Sequence, residues 1–144
     1  MYESTQKIKL IIAEDNHLFR TSLKAELQRN ECFDVIADVE DGKSAVDLAR
    51  ELRPDVVLMD LGLPVMDGIE ATRKIKENNA DVKVIELTSH SDEEEAMLTL
   101  SIGASAYVRK DILGKYLVMI IETVNKGAVW MDPLIGNQVL AKLR

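Results

Sequence analysis

The chain has 144 residues, 47% of them hydrophobic and 30% charged, which is the composition of an ordinary globular domain and excludes a disordered or fibrous chain. A balance of 18 basic against 25 acidic residues gives a formal charge of −7 and argues against this segment being the part that grips nucleic acid, a task that needs a positive footprint. No stretch approaches the roughly 18 apolar residues of a membrane span, no apolar segment of signal-peptide length follows the first seven residues, and Cys32 stands alone, so a cytoplasmic domain without a disulfide or thiolate metal cluster is expected.

After a polar lead at residues 1–7, apolar strands and amphipathic helices alternate five times. Ile8 and Leu10 to Ala13 form a first strand; past Glu14, Asp15 and Asn16, Phe19, Leu23 and Leu27 take up helical spacing. Phe33, Val35, Ile36 and Val39 make a second strand. Asp41 and Gly42 then turn into a helix with Ala45, Val46, Ala49 and Leu52 on one side, closed by Pro54. Residues 55–59 are the third strand, followed by a helix over about 67–77. Val82, Val84, Ile85 and Leu87 supply the fourth strand, and Ser91 with Glu94 reads as the capping box of a helix that stops at Gly103. Ala104 to Val108 are a short fifth strand, and residues 111–126 a long helix with a broad apolar stripe.

Near-continuous apolar strands separated by single helices imply an α/β fold, with a parallel sheet covered on both faces and right-handed crossovers. The expected architecture is a doubly wound, five-stranded sheet in the order 2-1-3-4-5, which sets the carboxyl ends of strands one and three side by side at the switch point. Residues 8–126 account for that domain. Beyond it, Val129 to Met131 read as a short extended piece, and Asp132-Pro133 opens a brief helix bearing Ile135, Val139, Leu140 and Leu143. Residues 127–144 are therefore expected to be a linker segment, either docked through that stripe or frayed.

In this topology Glu14 and Asp15 end strand one, Asp60 strand three, Thr88 strand four and Lys110 strand five. Each has an ordinary reading alone: the acids as helix caps, Thr88 as a strand residue, Lys110 as a partner of Asp111. Together they converge on one edge of the sheet. Three carboxylates there repel one another and should raise at least one pKa, a conflict that a hard divalent ion with oxygen ligands, Mg²⁺ above all, resolves. With a lysine and a hydroxyl opposite, the set has the parts that neutralise and hold a phosphoryl group. No Gly-x-Gly-x-x-Gly, Walker or Gly-x-Ser-x-Gly pattern occurs, neither His17 nor His90 sits in a zinc spacing, and His90, two residues after Thr88, reads as a loop histidine at the margin of the site.

Glu14-Asp15, the run DLGLPVMDG from Asp60, LTSH around Thr88 and GASAYVRKD around Lys110 resemble the receiver domain of two-component response regulators. The resemblance implies the flavodoxin-like receiver topology. It also implies that Asp60 is the phosphate acceptor, that Glu14 and Asp15 bind Mg²⁺ with Asp60 and the Gly62 carbonyl, and that Lys110 and Thr88 contact the phosphoryl group. Tyr107 matches the aromatic switch residue. The donor would be a sensor histidine kinase, and such a domain catalyses its own phosphorylation and slow dephosphorylation without being a conventional enzyme. The wording SAYVRKD and the tail after Gly127 further resemble the NarL-like subfamily, which implies a C-terminal helix-turn-helix output domain beyond Arg144, DNA contact through that domain alone, and homodimerisation on activation.

Two other readings share these residues: a pseudo-receiver that serves only as an interaction module, and a small hydrolase with an aspartyl nucleophile, for which the short crossovers leave no cap. Two departures from the receiver pattern stand out. Glu86 sits inside strand four where an apolar residue is usual, and its side should face a covering helix. Gly62, two residues past the acceptor, offers no side chain to orient or block water.

Overall fold

The computed structural model describes residues 6–144, so the first five residues of the polar lead lie outside the described residues. Strand β1 (Ile8–Ala13) leads into α1 (His17–Gln28), and β2 (Phe33–Val39) into α2 (Gly42–Leu52). The chain continues through β3 (Val56–Asp60), α3 (Gly68–Asn78), β4 (Lys83–Thr88), α4 (Glu93–Ser101), β5 (Ala106–Arg109) and α5 (Lys110–Asn125). It ends in β6 (Trp130–Met131) and α6 (Pro133–Leu143).

All strand pairs are parallel, in the order β2-β1-β3-β4-β5-β6. The expected five-strand order is therefore present, with one strand more. The short extended piece expected at residues 129–131 supplies it: the outer side of β5 offers unpaired peptide groups, and residues 130–131 pair with Ala106 and Tyr107 there. Trp130 N–H also donates to the Ser105 carbonyl at 2.9 Å.

Alternation along the strands builds two cores. Leu10, Ile12, Leu58, Ile85, Leu87 and Val108 face α1 and α5, where Leu23, Leu27, Leu113 and Leu117 meet them. Ile11, Ala13, Val57, Met59 and Val84 face α2 and α3, against Ala45, Val46, Ala49, Ala71 and Ile75. Every residue of β3 is buried, which explains its unbroken apolar run up to Asp60.

Helix starts follow side-chain chemistry. Asn16, Asp41 and Asp67 accept the backbone N–H groups of Phe19, Ser44 and Glu70 and so cap α1, α2 and α3. The capping residue of α4 is Asp92, which accepts from Glu95 N–H, and not Ser91. The box is thus Asp92-x-x-Glu95, one residue later than the serine suggested, and an ionised carboxylate is the stronger acceptor for a helix N-terminus. Gly103, at φ 106°, ends that helix in a conformation that only glycine adopts freely.

The segment after Gly127 packs on the rest of the chain. Asp132 caps α6, and Ile135 and Val139 are buried in a third apolar cluster with Leu61, Ala96 and Tyr107. Leu140 and Leu143, which share the helical stripe in the sequence, are exposed. No helix of the described residues is long and apolar enough to cross a membrane.

Candidate functional site

The carboxyl ends of the strands open into a cleft of about 580 Å³ lined by Glu14, Asp15, Asp60, Gly62, Thr88 and Lys110. Every residue expected at the sheet edge is brought together there. The carboxyl ends of four strands, β1, β3, β4 and β5, supply them because parallel strands of one sheet end on the same side, and β1 and β3 are neighbours.

Glu14 is fully buried; its Oε2 accepts the Asn16 amide at 2.9 Å and its Oε1 stands 2.5 Å from Lys110 Nζ as an ion pair. The same ammonium reaches Asp60 Oδ1 at 3.2 Å and lies over the Phe19 ring, 4.9 Å from its centre. Lys110 begins α5 and does not merely follow β5, so its stem is anchored by a helix. Asp15 is exposed at the cleft. Glu14, Asp15 and Asp60 each offer an oxygen within 4.8 Å of the others.

Burial, more than mutual repulsion, raises the pKa of both Glu14 and Asp60. Carboxylate crowding, the cause expected from the sequence, adds to the effect but ranks below lost solvation. For Lys110, burial pulls the pKa down, but Glu14 and Asp60 outweigh it and leave the ammonium held more firmly than usual. An oxygen-only set of three carboxylates, two of them short of solvent, fits a small hard divalent cation.

A Cβ at Gly62 would meet only Asp60 Oδ2, at 3.8 Å, so the space above Asp60 is open on that side. The loop that follows carries strain: Val65, a β-branched residue, sits at φ 68° with its side chain in solvent.

Thr88 faces the cleft but turns its hydroxyl to the His90 carbonyl, to which it donates at 2.8 Å. His90 thereby lines the site. Tyr107 is not in the cleft wall. Its ring is 1% exposed, beneath α4 and α6, and its hydroxyl accepts from Asp92 N–H at 2.9 Å while donating to Glu95 Oε1 at 2.7 Å. Burial and the Glu95 bond raise the phenol's pKa, with the Asp92 amide and the Thr88 hydroxyl acting the other way. The phenol is thus the middle link of the α4 capping box, and Glu95 also borders the cleft.

Arg20 escaped the sequence reading. Its guanidinium is buried, donates to the Glu14 carbonyl at 2.7 Å, and pairs with Asp38 at 3.3 Å and Glu40 at 3.0 Å. The signal was its position: Arg20 falls in line with Leu23 and Leu27 on the buried face of α1, where a charge implies a built partner set.

Comparison with known proteins agrees with this geometry. The family model for the response regulator receiver domain matches residues 10–122. The chain is 36% identical over 138 residues to the transcriptional regulatory protein DegU of Brevibacillus brevis, covering 96% of this chain and 58% of that protein. It is 35% identical over 137 residues to LiaR of Bacillus subtilis, covering 95% of this chain and 65% of that protein. The chain therefore spans about three fifths of the regulators it matches. Among solved structures, a LuxR-family two-component response regulator from an Aurantimonas strain superposes with a TM-score of 0.88 at 31% identity, over 95% of this chain and 98% of that one. The fold, the order of the strand-end residues and these relatives place the chain in the receiver domain family of two-component response regulators, alongside transcriptional regulators of the LuxR type.

Proposed function

We propose that this receiver accepts a phosphoryl group on Asp60 from a sensor histidine kinase, in a Mg²⁺-dependent reaction, and relays the change to a DNA-binding output domain. The observation that carries the reading is the placement of Asp60: an acidic side chain at the end of a fully buried strand, 3.2 Å from a lysine and open to the cleft.

An Asp60 oxygen attacks phosphorus as the bond to the donor nitrogen breaks, and the donor leaves with that electron pair. Lys110 offsets the negative charge of the transferred oxygens, and its pairing with Glu14 holds it in place beforehand. Asp15 and Asp60, with Glu14 behind them and the Gly62 carbonyl beside them, would hold Mg²⁺. That ion supplies the positive charge without which incoming phosphoryl oxygens meet three acidic side chains. After transfer, the phosphoryl oxygens are better acceptors than the His90 carbonyl, and the Thr88 hydroxyl turns from the one to the other.

Rotation of Thr88 alters the contacts of the adjoining phenol and of the start of α4. Because the Tyr107 ring is already buried, the switch in this chain does not need the ring to move inward; a change in what the hydroxyl caps is sufficient. On this reading residues 127–144 connect to the output domain, homodimerisation accompanies activation, and DNA contact belongs to the output domain, since this segment carries a charge of −7. Incubation with acetyl phosphate tests the chemistry: a phosphoryl adduct is expected with Mg²⁺ and none in excess EDTA, and labelling that persists in EDTA contradicts it.

A further inference from the structure

Among the described residues, Glu86 is a fully buried carboxyl with no cation beside it. It stands on β4 between Met59 of β3 and Tyr107 of β5, on the same sheet face as Thr88. Its Oε1 meets the hydroxyl of Thr72 on α3, and its Oε2 has no partner. The Thr72 hydroxyl also lies 2.7 Å from the Gly68 carbonyl. One hydroxyl has one proton to give. With that proton on Gly68, the contact to Glu86 is a hydrogen bond only if the carboxyl brings its own.

Charge argues the same way. An ionised Glu86 would bury an unpaired negative oxygen, a far larger penalty than an unpaired carbonyl. The groups that bear on it from the surrounding elements are Glu95 of α4, Asp60 at the end of β3 and Asp67 at the start of α3, all acidic, with Tyr107 neutral. None supplies a positive charge. Burial first, and these acids second, hold the proton on the side chain.

The hydrogen bond supports the floor of the acceptor loop. Gly68 N–H donates to the Leu61 carbonyl at 3.1 Å, and a Cβ on Gly68 would lie 2.3 Å from the Asp60 carbonyl oxygen and 2.8 Å from Leu61 Cα. The first turn of α3 therefore rests directly on the backbone of Asp60 and Leu61. Thr72 ties this turn to β4, with Glu86 as its partner.

We infer that Glu86 is a positioning residue: as a neutral acid it donates to Thr72, and through Thr72 and Gly68 it fixes the backbone of Asp60 and Leu61 from beneath. Its kinetic consequence rests on Asp60 being the acceptor, as proposed above; the proton and the strut do not.

The test uses the whole chain with three variants. Glu86→Gln keeps a donor without a charge, Glu86→Leu removes the donor, and Thr72→Val removes its acceptor. Infrared difference spectra at neutral pH are expected to show a protonated-carboxyl band in the wild type that is missing from Glu86→Gln. Amide shifts of Asp60, Leu61 and Gly68 should stay in place in Glu86→Gln and move in the other two. Labelling by acetyl phosphate with Mg²⁺ should stay within about twofold of wild type for Glu86→Gln and slow by about tenfold for Glu86→Leu and Thr72→Val, the scale of a sub-ångström displacement at a reacting centre. A carboxylate signature for Glu86 at neutral pH overturns the inference, as do unmoved Asp60 and Gly68 amides in Glu86→Leu. Failure of the acceptor reading looks different: the wild type itself takes no label with Mg²⁺, and the infrared and amide results then decide the role of Glu86 alone.

Discussion

The Tyr107 hydroxyl donates to Glu95 at 2.7 Å, joining strand β5 to the first turn of α4. Because the same oxygen accepts from Asp92 N–H, the phenol does for α4 what a direct glutamate-to-backbone bond does in an ordinary capping box. Tyr107→Phe should leave the ring buried and the fold intact while freeing both partners. A buried hydrogen bond of this kind contributes about 1 kcal/mol, so amide exchange over residues 93–97 should quicken by about five- to tenfold. Unchanged exchange there would show that the phenol does not cap the helix.

Arg20 acts on the site through backbone. By holding the Glu14 carbonyl it fixes the strand end from which the Glu14 and Asp15 side chains depart. Arg20→Gln should therefore weaken Mg²⁺ affinity and slow labelling by about tenfold, because misplaced ligands cost more than lost charge at a distance. Loss of the arginine also leaves Asp38 and Glu40 without their buried partner, so Tm should fall as well. The comparison that decides is Mg²⁺ titration at a temperature where both proteins are folded; equal affinities would limit Arg20 to a role in stability.

Glu86 makes stability depend on pH in a defined direction. Below its ordinary pKa of 4.5 the side chain is neutral in both the folded and unfolded chain and contributes no pH dependence. Above that value the unfolded chain ionises while burial keeps the proton on in the folded one, so stability falls as pH rises towards the raised folded pKa. Glu86→Gln removes this loss. Its Tm should exceed that of the wild type at neutral pH, and the gain should shrink as pH approaches 4.5; a gain that is the same at both pH values would contradict the account.

Helix α6 should behave as a docked element. Its 11 residues are too few for a stable isolated helix, so protection of residues 134–142 from exchange depends on Ile135 and Val139. Ile135→Ala, which removes about 2 to 4 kcal/mol of packing, should abolish that protection and expose Tyr107. Retained protection in the variant would place the docking energy elsewhere, for example in the Lys142 to Glu93 pair at 3.2 Å or the Arg109 to Asp132 pair at 3.1 Å.

What was legible in the sequence was whatever leaves a periodic or end-of-strand mark. The apolar runs gave β1 to β5 and their order, and the polar residues that interrupt them gave Glu14, Asp15, Asp60, Thr88 and Lys110. Glu86 betrayed itself as a charge in an apolar strand, and its orientation towards a covering helix followed from alternation. The extended piece at β6 was legible, but its pairing with β5 was not, because two residues show no period and no partner. Tyr107 as a helix cap depends on a contact across 12 residues, between a strand and a helix whose packing angle no local pattern encodes. Arg20 was visible only as a charge on a buried face, and its partners, the Glu14 carbonyl, Asp38 and Glu40, meet it only once β1 and β2 pair.

Intact mass tests the central claim most directly. After acetyl phosphate and Mg²⁺, the wild type should gain one phosphoryl group, about 80 Da, and Asp60→Asn, which keeps the shape of the side chain but lacks the nucleophilic carboxylate, should gain none. Equal labelling of the two proteins would contradict the assignment of Asp60 as the acceptor.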